Sequence, residues 1–519
     1  MGSYQPFTAI LALLMVSLST VAATYCYPGM PCFPSNEVQS QFAVAMHGHV
    51  VFPYQPEYDS IVIMQNVRVT KFPHIIATPF STKEVQIALM FARQHNLHMT
   101  VISSGHDYFG RSTGDGSFQI SLRNISDVDV NLTSRRNPDG EVTIGSGAPW
   151  LKVYERLNKD NRVIVGGSAH TVAMGGYTHG GGHSPMSRMF GLAVDNLLEV
   201  EVVLANGSVA LASATGTVLT DPNGTQSQTS DSSLFWALRG GGGGTFGIST
   251  KFTFKIHRGA PGVVNLNIAY PMVLANGTSV ADQVLEKMSE IILSAPPNWG
   301  GYMMTNGLPE GATHGQISLF ANHYGTWDTA SRKYMDELVN FKPEWQKFAV
   351  YNNYSSFIEY ERTAVDPKYY RTYISNILMN NKSFSPAWRK AMVDLAFSFP
   401  LGKSAIFATG TWVGGKVHDV GTADTSVHPG FRECYMSLTT GISWSGLGDH
   451  EHEFVAEGQM VREKLRPYGN GSYRNEGSAD SPSWKDDFWG SNYARLEAIK
   501  RAVDPDNVFS CADCVGRDL

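Results

Sequence analysis

Charged residues are scarce in this chain: Asp, Glu, Lys and Arg make up 17% of its 519 residues, and the formal net charge is −6. Lysine and arginine nowhere form a block. Nucleic acids are bound by clustered basic surfaces, so this composition argues against a nucleic-acid partner. The hydrophobic share of 42% is enough to bury sizeable cores.

Long apolar runs are absent apart from one near the N-terminus, from Phe7 to about Val21. It is too short for a comfortable membrane span, and no later segment supplies one. Val21-Ala22-Ala23 fits a signal-peptidase site, although no Lys or Arg precedes the apolar run. We therefore predict a signal peptide at residues 1–23, no membrane span, and a secreted, extracellular protein. Eight Asn-x-Ser/Thr sites permit glycosylation, in agreement with secretion: Asn124, Asn131, Asn206, Asn223, Asn276, Asn353, Asn381 and Asn470.

Cysteine is also rare, and four of the five lie near the chain ends, at Cys26, Cys32, Cys511 and Cys514. In an oxidising compartment these four are expected to form disulfides, either within each local pair or between the two ends. Cys511-Ala-Asp-Cys514 also has the spacing of a redox or zinc half-site, but no second pair or adjacent histidine accompanies it. A structural disulfide is the preferred interpretation, and we expect no metal.

The first chemistry-bearing stretch is the loop 103–111, which follows a predicted β-α-β unit. A strand at 74–77, a capping-box helix that begins with Ser81-Thr-Lys-Glu84, and a strand at 99–103 make up this unit. Small side chains in the loop leave room for backbone amides to approach phosphate oxygens. Taken alone, the stretch could equally be a turn with a hydrogen-bonded histidine.

A second glycine-rich stretch, residues 166–184, is too long and too glycine-rich for an ordinary turn. Its glycines would let the backbone lie flat against a planar or anionic ligand. His179 and His183 are four apart, a spacing that binds zinc from a helix, but the glycines at 180–182 argue against a helix here.

The rest of the pattern predicts an α+β protein with two lobes. A strand at 198–204, a hairpin turn at Asn206-Gly207 and a long strand at 248–256 complete the first lobe. Beyond about residue 262, helices near 280–291, 330–339 and 386–395 accompany strands near 316–320, 405–411 and 435–444. This pattern indicates an antiparallel sheet covered by helices.

Four sequence blocks stand out when they are taken together: residues 104–112 (Ser-Gly-His-Asp-Tyr-Phe-Gly-Arg-Ser), residues 175–196 around Gly-Gly-Gly-His-Ser, residues 234–247 with five consecutive glycines, and Asp504-Pro-Asp-Asn-Val-Phe509. In order and spacing they resemble the berberine-bridge-enzyme-like FAD-linked oxidases of the vanillyl-alcohol-oxidase/PCMH flavoprotein superfamily, and the fungal alcohol-oxidase-like branch most closely. The resemblance implies a PCMH-type FAD-binding domain at 38–258, built from two small α/β subdomains, and a substrate-binding domain at 259–464. It further implies that residues 465–519 return to the FAD-binding domain.

The same resemblance implies that FAD is the cofactor and that His106 is joined covalently to its 8α-methyl carbon. Bicovalent relatives carry a cysteine where this chain has Ala169, so we predict a single covalent linkage. The other residues expected at the cofactor are Ser103, Ser104, Gly105, Asp107, Gly167, Thr171, Gly175, Gly176, Gly180, Gly181, Gly182, His183, Val200 and Asn475.

Candidate catalytic residues come mainly from Tyr473-Arg-Asn475, which resembles a family motif near the flavin and the substrate. Related plant enzymes place a tyrosine base after that asparagine, whereas this chain has Glu476, which could act as base if burial raised its pKa. Tyr177 replaces a histidine that is common in the family. Glu433 and Tyr435 are further candidates in the substrate lobe.

The expected function is that of a secreted FAD-dependent oxidase. It would take hydride from a C–H next to oxygen or nitrogen, in an alcohol, sugar or amine, and pass the electrons to O₂ to give H₂O₂. Two alternatives remain: a dehydrogenase with another acceptor, and a secreted or matrix flavoprotein without turnover. The substrate is expected to be a small molecule.

Overall fold

The computed structural model describes residues 25–306, 315–364, 366, 369–397, 404–445, 450–478 and 480–519. The predicted signal peptide, 1–23, lies outside this range.

Twenty strands occur in the described residues. They are β1 Val50–Val51, β2 Ile75–Ala77, β3 Met99–Ile102, β4 Phe118–Ser121, β5 Val128–Asn131, β6 Glu141–Gly145, β7 Arg162–Val163, β8 Leu197–Val203, β9 Val209–Ser213, β10 Gly216–Thr220, β11 Gln226–Thr229, β12 Ile248–Lys255, β13 His257–Arg258, β14 Val263–Pro271, β15 Trp299–Asn306, β16 Gln316–Tyr324, β17 Phe348–Tyr354, β18 Arg371–Met379, β19 Ser404–Trp412 and β20 Met436–Trp444.

Fourteen α-helices accompany them in the same part of the chain. They are α1 Asn36–Ala45, α2 Tyr58–Val62, α3 Thr82–Gln94, α4 Trp150–Asn158, α5 Met174–His179, α6 Ser187–Phe190, α7 Ser233–Leu238, α8 Ala281–Ser294, α9 Thr329–Val339, α10 Phe357–Glu361, α11 Pro386–Ala396, α12 Glu451–Leu465, α13 Trp484–Trp489 and α14 Tyr493–Val503. No helix of the described residues is both long and apolar enough to cross a membrane.

The first sheet has the strand order β1-β2-β4-β3 and carries the predicted β-α-β unit. Strands β2 and β3 both run parallel to β4, and α3 connects them. The hydroxyl of Ser81 accepts a hydrogen bond from the backbone of Glu84, while the Glu84 carboxylate accepts one from Phe80. This sheet delivers the loop 103–111 from the carboxyl end of β3, the edge at which open parallel sheets bind their ligands.

The second sheet is antiparallel, in the order β11-β10-β9-β8-β12-β6-β5. The predicted hairpin is confirmed, since β8 pairs with β9 around Asn206-Gly207. Helices α13 and α14 contribute Trp489 and Leu496 to the same core as Trp150 and Phe252. The C-terminal segment therefore packs against this sheet.

The third sheet, in the order β17-β14-β16-β15-β19-β20-β18, is antiparallel throughout. Its core takes in Leu285 of α8, Leu338 of α9, Trp388 of α11 and Phe454 of α12. The predicted antiparallel sheet with helices is therefore confirmed, and the fold class is α+β.

The glycine-rich region departs from expectation, because α5 occupies Met174–His179. The helix ends at Gly180, so the glycines at 180–182 terminate it rather than prevent it. Tertiary contact outweighs the poor helix propensity of glycine here: a Cβ on Gly175 would lie 2.4 Å from the Ser103 hydroxyl oxygen. Before this region, β7 is a two-residue strand that pairs with β13.

The terminal cysteines pair locally, as Cys26–Cys32 and Cys511–Cys514. Cys434 is buried and unpaired, and burial raises the pKa of its thiol to about 12. It therefore behaves as a packed apolar group.

Candidate active site

A cavity of about 610 Å³ lies between the first two sheets and the third. One wall comes from the two loops that the sequence singled out, 103–112 and 167–183, and from the glycines at 243–244. The opposite wall comes from β15, β19 and the segment before β18, and residues 473–476 and 509–511 close one side. Its size lies within the range of sites that bind small molecules and cofactors.

The loop after β3 is built to expose backbone to the cavity. Gly105 has a φ of +89°, a conformation that favours glycine. The hydroxyl of Ser104 accepts a hydrogen bond from the amide of Ala173 at 2.9 Å, which ties the two loops together. Asp107 accepts from the amides of Phe109 and Arg111, both at 2.9 Å. Each loop thus holds the other in place.

A buried network of charges anchors this loop to the C-terminus. Arg111 pairs with Asp107 at 2.9 Å and with Asp513 at 2.6 Å, and Arg474 pairs with the same Asp513 at 3.0 Å. Burial works to raise the pKa of Asp513, but the two guanidinium groups outweigh it and hold that pKa below its ordinary value. Both arginines line the cavity, yet both are already engaged by carboxylates.

The cavity wall fits a flavin dinucleotide. Gly176 and Gly244 line the cavity, and a Cβ at either position would have no protein atom within 4 Å, so their missing side chains open onto the cavity itself. Bare backbone at these points lets a flat ring or a phosphate approach closely. Ser103, Ser104, Gly105 and Asp107 surround the same space.

His106 is oriented by a hydrogen-bonded chain that crosses to the opposite wall. Its Nε2 lies 2.8 Å from the Thr171 hydroxyl oxygen, and that hydroxyl donates to the Asp366 carboxylate at 2.6 Å. The backbone amides of Thr171 and His170 also donate to Asp366, at 2.7 and 2.8 Å. Because a hydroxyl has one proton to donate, Thr171 must accept from a protonated Nε2. Nδ1 of His106 then carries the lone pair.

Burial lowers the pKa of His106, which keeps this imidazole neutral. The nucleophilic form is therefore the one that the site maintains. Ala169 also lines the cavity and has no nucleophile.

Tyr473, Asn475 and Glu476 meet at the other end of the cavity. The Asn475 amide donates to the Tyr473 hydroxyl at 2.8 Å and to the backbone carbonyl of Gly176 at 3.1 Å. Glu476 accepts from Thr439, and one of its oxygens lies 3.3 Å from Nε2 of His183. The His183–Glu476 contact is at ion-pair distance but not in good hydrogen-bond geometry.

The glycines at 180–182 shape this end from behind. A Cβ on Gly180 would lie 2.3 Å from the Asn475 amide, and one on Gly182 would lie 2.5 Å from the Tyr177 ring. A Cβ on Gly181 would lie 2.9 Å from the Val427 side chain. None of these three glycines lines the cavity. Their lack of a side chain allows the residues behind them and in the wall to pack closely.

The Tyr177 hydroxyl donates to the backbone carbonyl of His183 at 3.0 Å, although its ring lines the cavity beside Gly167. Val200 was expected at the cofactor, but it is fully buried in the core beneath β8 and does not line the cavity. An inward-facing residue of a strand packs against the core, which explains its place.

His179 and His183 both line the cavity but have different partners. His179 contacts the Leu238 carbonyl oxygen and the Ser249 hydroxyl at 2.9 and 2.8 Å, and burial lowers its pKa to about 4. His183 faces Glu476 instead.

The candidates Glu433 and Tyr435 also lie outside the residues that line the cavity. The Glu433 carboxylate accepts from Asn470, and the Tyr435 ring packs against His418.

The substrate-lobe wall carried no sequence signal. It comprises Tyr302, Met304, Ala364, Asp366, Tyr370, Thr409 and Thr411. No glycine motif or fixed spacing marks these positions, because they come from separate strands and one loop. Only the fold brings them together.

The comparisons agree with this geometry. The profile of the FAD binding domain family matches residues 73–213, and that of the family described as berberine and berberine like matches residues 472–515. An FAD-linked oxidoreductase of Arthroderma benhamiae is 29% identical over 468 residues, which cover 86% of this chain and 78% of that protein. The VAO-type flavoprotein oxidase VAO615 of Thermothelomyces thermophilus is 29% identical over 480 residues, covering 88% and 78%.

Solved structures share the fold. The VAO-type flavoprotein MtVAO713 of Myceliophthora thermophila C1 superposes with a TM-score of 0.78 at 22% identity, covering 95% of this chain and 97% of that one. Berberine bridge enzyme from Eschscholzia californica gives 0.76 at 19% identity, covering 91% and 98%. Fold and site together define an FAD-linked oxidoreductase. Over most of its length the chain is similar to FAD-linked oxidoreductases of the berberine-bridge-enzyme-like and vanillyl-alcohol-oxidase type.

Proposed function

We propose that this protein is a secreted oxidase with one covalent FAD, which takes hydride from a C–H next to oxygen or nitrogen and passes the electrons to O₂. The observation that carries the proposal is the meeting, in one cavity, of the His106 loop with Glu476, a carboxylate that remains ionised. When bound, FAD supplies the hydride acceptor. The chain's own residues hold the cofactor, orient the substrate and take its proton.

Glu476 is the proposed base. Burial works to raise its pKa, but the neighbouring His183 and the hydrogen bond from Thr439 outweigh burial, so the pKa lies below its ordinary value. A carboxylate in this state is free to take a proton at neutral pH.

Tyr473 is the proposed orienting group. Burial, with the charge of Glu476, raises the pKa of Tyr473 far above its ordinary value, so the phenol keeps its proton. Its oxygen accepts from Asn475, which leaves the hydroxyl proton for a substrate oxygen or nitrogen. The Tyr177 hydroxyl already donates its proton to the His183 carbonyl, so this residue contributes only its ring to the cavity wall.

The single covalent linkage is proposed at Nδ1 of His106. The chain through Thr171 and Asp366 leaves the lone pair on that nitrogen, and low basicity keeps the imidazole neutral. Ala169 cannot provide a second bond. Acid denaturation should therefore leave yellow colour on the polypeptide, and colour released into the supernatant would contradict the linkage.

The charge of the cavity narrows the substrate class. Arg111 and Arg474, the guanidinium groups that line it, are both bound to carboxylates, and Asp366 and Glu476 add negative charge. An anionic substrate would meet no free cation among the described lining residues. We therefore propose neutral alcohols or sugars, or amines, as substrates.

Secretion is supported by the surface. Of the eight asparagines in Asn-x-Ser/Thr sites, seven are exposed and Asn470 is half-buried. Two disulfides fit an oxidising compartment. A shift in mass after enzymatic removal of N-glycans from the protein of the culture medium would support this placement, and retention of the unprocessed chain inside the cell would contradict it.

The decisive experiment is an aerobic panel of neutral sugars, alcohols and amines with H₂O₂ as the readout. Peroxide formed in proportion to substrate supports the oxidase. Flavin that bleaches with a substrate but recovers slowly in air indicates a dehydrogenase with another acceptor. Flavin that bleaches only with a chemical reductant indicates a protein without turnover.

A further inference from the structure

Glu361 is a buried carboxyl group that the proposed chemistry does not use. It ends α10 and is 3% exposed. Its Oε1 lies 3.4 Å from the Ser168 hydroxyl oxygen, a long hydrogen bond, and its Oε2 has no partner among the described residues. Nε2 of His170 contacts its backbone carbonyl oxygen at 2.8 Å, which holds the residue against the cofactor lobe.

Uncharged groups surround this carboxyl. The titratable groups that interact electrostatically with it are the phenols of Tyr154 of α4, Tyr177 of α5, Tyr302 of β15, Tyr324 of β16 and Tyr360 of its own helix, and burial raises the pKa of each. The adjacent guanidinium, of Arg362, pairs with Glu155 at the surface. No ion pair involves Glu361 in the described part of the chain.

Burial without a cation raises the pKa of Glu361 to about 8. Glu361 and Glu476 are therefore held in opposite states at neutral pH, one protonated and the other ionised. When their environments give two carboxyl groups widely different pKa values, the protonated group is suited to act as acid and the ionised group as base.

Two hydroxyls connect Glu361 to the cavity. The Ser168 oxygen lies 2.7 Å from the Tyr302 hydroxyl oxygen, and both residues line the cavity. Ser168 also precedes Ala169, the position expected beside the flavin ring. The route from Glu361 thus ends at the reacting end of the cavity.

We propose that Glu361 is a proton store for the cavity, which exchanges its proton with the reacting end through the hydroxyls of Ser168 and Tyr302. Its use in turnover rests on the proposed oxidase function. Formation of H₂O₂ from O₂ consumes two electrons and two protons. The electrons and one proton come from the hydride removed from the substrate, and Glu361 gives the second proton. Glu361 then regains one proton, which balances the one that Glu476 takes from the substrate and releases.

The first test observes the store without turnover. Infrared difference spectra of the flavin-loaded protein, oxidised against photoreduced, should contain the carbonyl stretch of a protonated carboxyl that titrates near pH 8. Glu361→Gln should remove this band. Ser168→Ala should shift it while leaving it present. Absence of the band from the wild type at pH 6, or its persistence in Glu361→Gln, overturns the proposal.

The second test separates the two half-reactions by stopped flow. In the wild type, reoxidation by O₂ should slow as the pH rises through about 8. Glu361→Gln and Tyr302→Phe should both remove this pH step, and Glu361→Gln should slow reoxidation at pH 7 by about 100-fold, the usual effect of losing a general acid. Anaerobic reduction of Glu361→Gln by substrate should remain within about twofold of wild type, since Glu476 is intact.

Glu359→Gln is the matched control, because Glu359 lies on the same short helix but is exposed and only caps its start. It should behave as wild type in both tests. Unchanged reoxidation and an unchanged pH step in Glu361→Gln overturn the proton store. A wild type that is reduced by substrate but hardly reoxidises contradicts the oxidase instead, and the infrared band then still decides whether the store exists.

Discussion

Replacing Glu361 by glutamine is expected to stabilise the protein, by an amount that grows with pH. The native carboxyl has a pKa of about 8, whereas the ordinary value, which applies to the unfolded chain, is 4.5. Between these values the native state binds more protons than the unfolded state, so the stability of the wild type falls as the pH rises. At 1.36 kcal/mol per pKa unit, the loss is about 3 kcal/mol at pH 7 and about 5 kcal/mol above pH 8.

Glutamine has nearly the same shape and does not titrate, so Glu361→Gln should escape this loss. The two proteins should have similar stability near pH 4.5, and the variant should unfold about 3 °C higher at pH 7, given the unfolding entropy of a chain of this length. Thermal unfolding followed by tryptophan fluorescence at pH 5, 7 and 9 measures the difference, and Glu359→Gln should show none. A difference that stays constant with pH, or a less stable variant at pH 9, would refute the reasoning.

Three further predictions concern the other charged groups of the site. Glu476→Gln should lower the rate of flavin reduction by substrate by about 10²- to 10⁴-fold while FAD stays attached. In the wild type, this anaerobic rate should fall only as the pH drops through the depressed pKa of Glu476, and an unaltered rate in the variant would remove Glu476 as base. Asp366→Asn should keep FAD bound but slow its attachment to His106 by about 100-fold, because an amide can turn the Thr171 hydroxyl toward Nε2 and move the lone pair away from Nδ1. The fraction of flavin retained after acid denaturation measures this, and the control is Asp160→Asn, since Asp160 pairs with Arg156 and does not line the cavity. Asp513→Asn should destabilise the protein by about 3–5 kcal/mol, because it leaves the buried Arg474 without a charge partner and Arg111 with Asp107 alone. Chemical unfolding at pH 7 would contradict this if it gave a loss below about 1 kcal/mol.

Two of the loops that line the cofactor side of the cavity could be recognised in the sequence because their residues are contiguous. Ser104 to Asp107 come directly after one predicted strand. The glycines at 175 and 176 belong to a glycine-rich stretch that is continuous in the sequence. The error at α5 has a physical reason: local propensity disfavours glycine in a helix, but contact between Gly175 and Ser103 requires a residue without a side chain there.

The substrate side could not be predicted, because its residues meet only after folding. Asp366 lies 195 positions from its partner Thr171, and Glu361 lies 193 positions from Ser168. A carboxylate in a sequence gives no indication of whether it will be exposed, paired or buried without a cation. That distinction, which separates Glu359 from Glu361 two residues away, depends on the tertiary neighbours alone.

The placement of the two carboxylates explains why the cavity needs both lobes. Glu476 stays ionised because it contacts both His183 of the cofactor lobe and Thr439 of the substrate lobe. Glu361 stays protonated because it is buried at the contact with Ser168 of the cofactor lobe and has no cation as partner among the described residues. Neither lobe alone would hold its carboxyl group in the required state. Without the other lobe, Glu476 would lose a partner that lowers its pKa and Glu361 would lose the burial that raises its pKa. Docking of the lobes therefore sets the protonation states of both the base and the proton store.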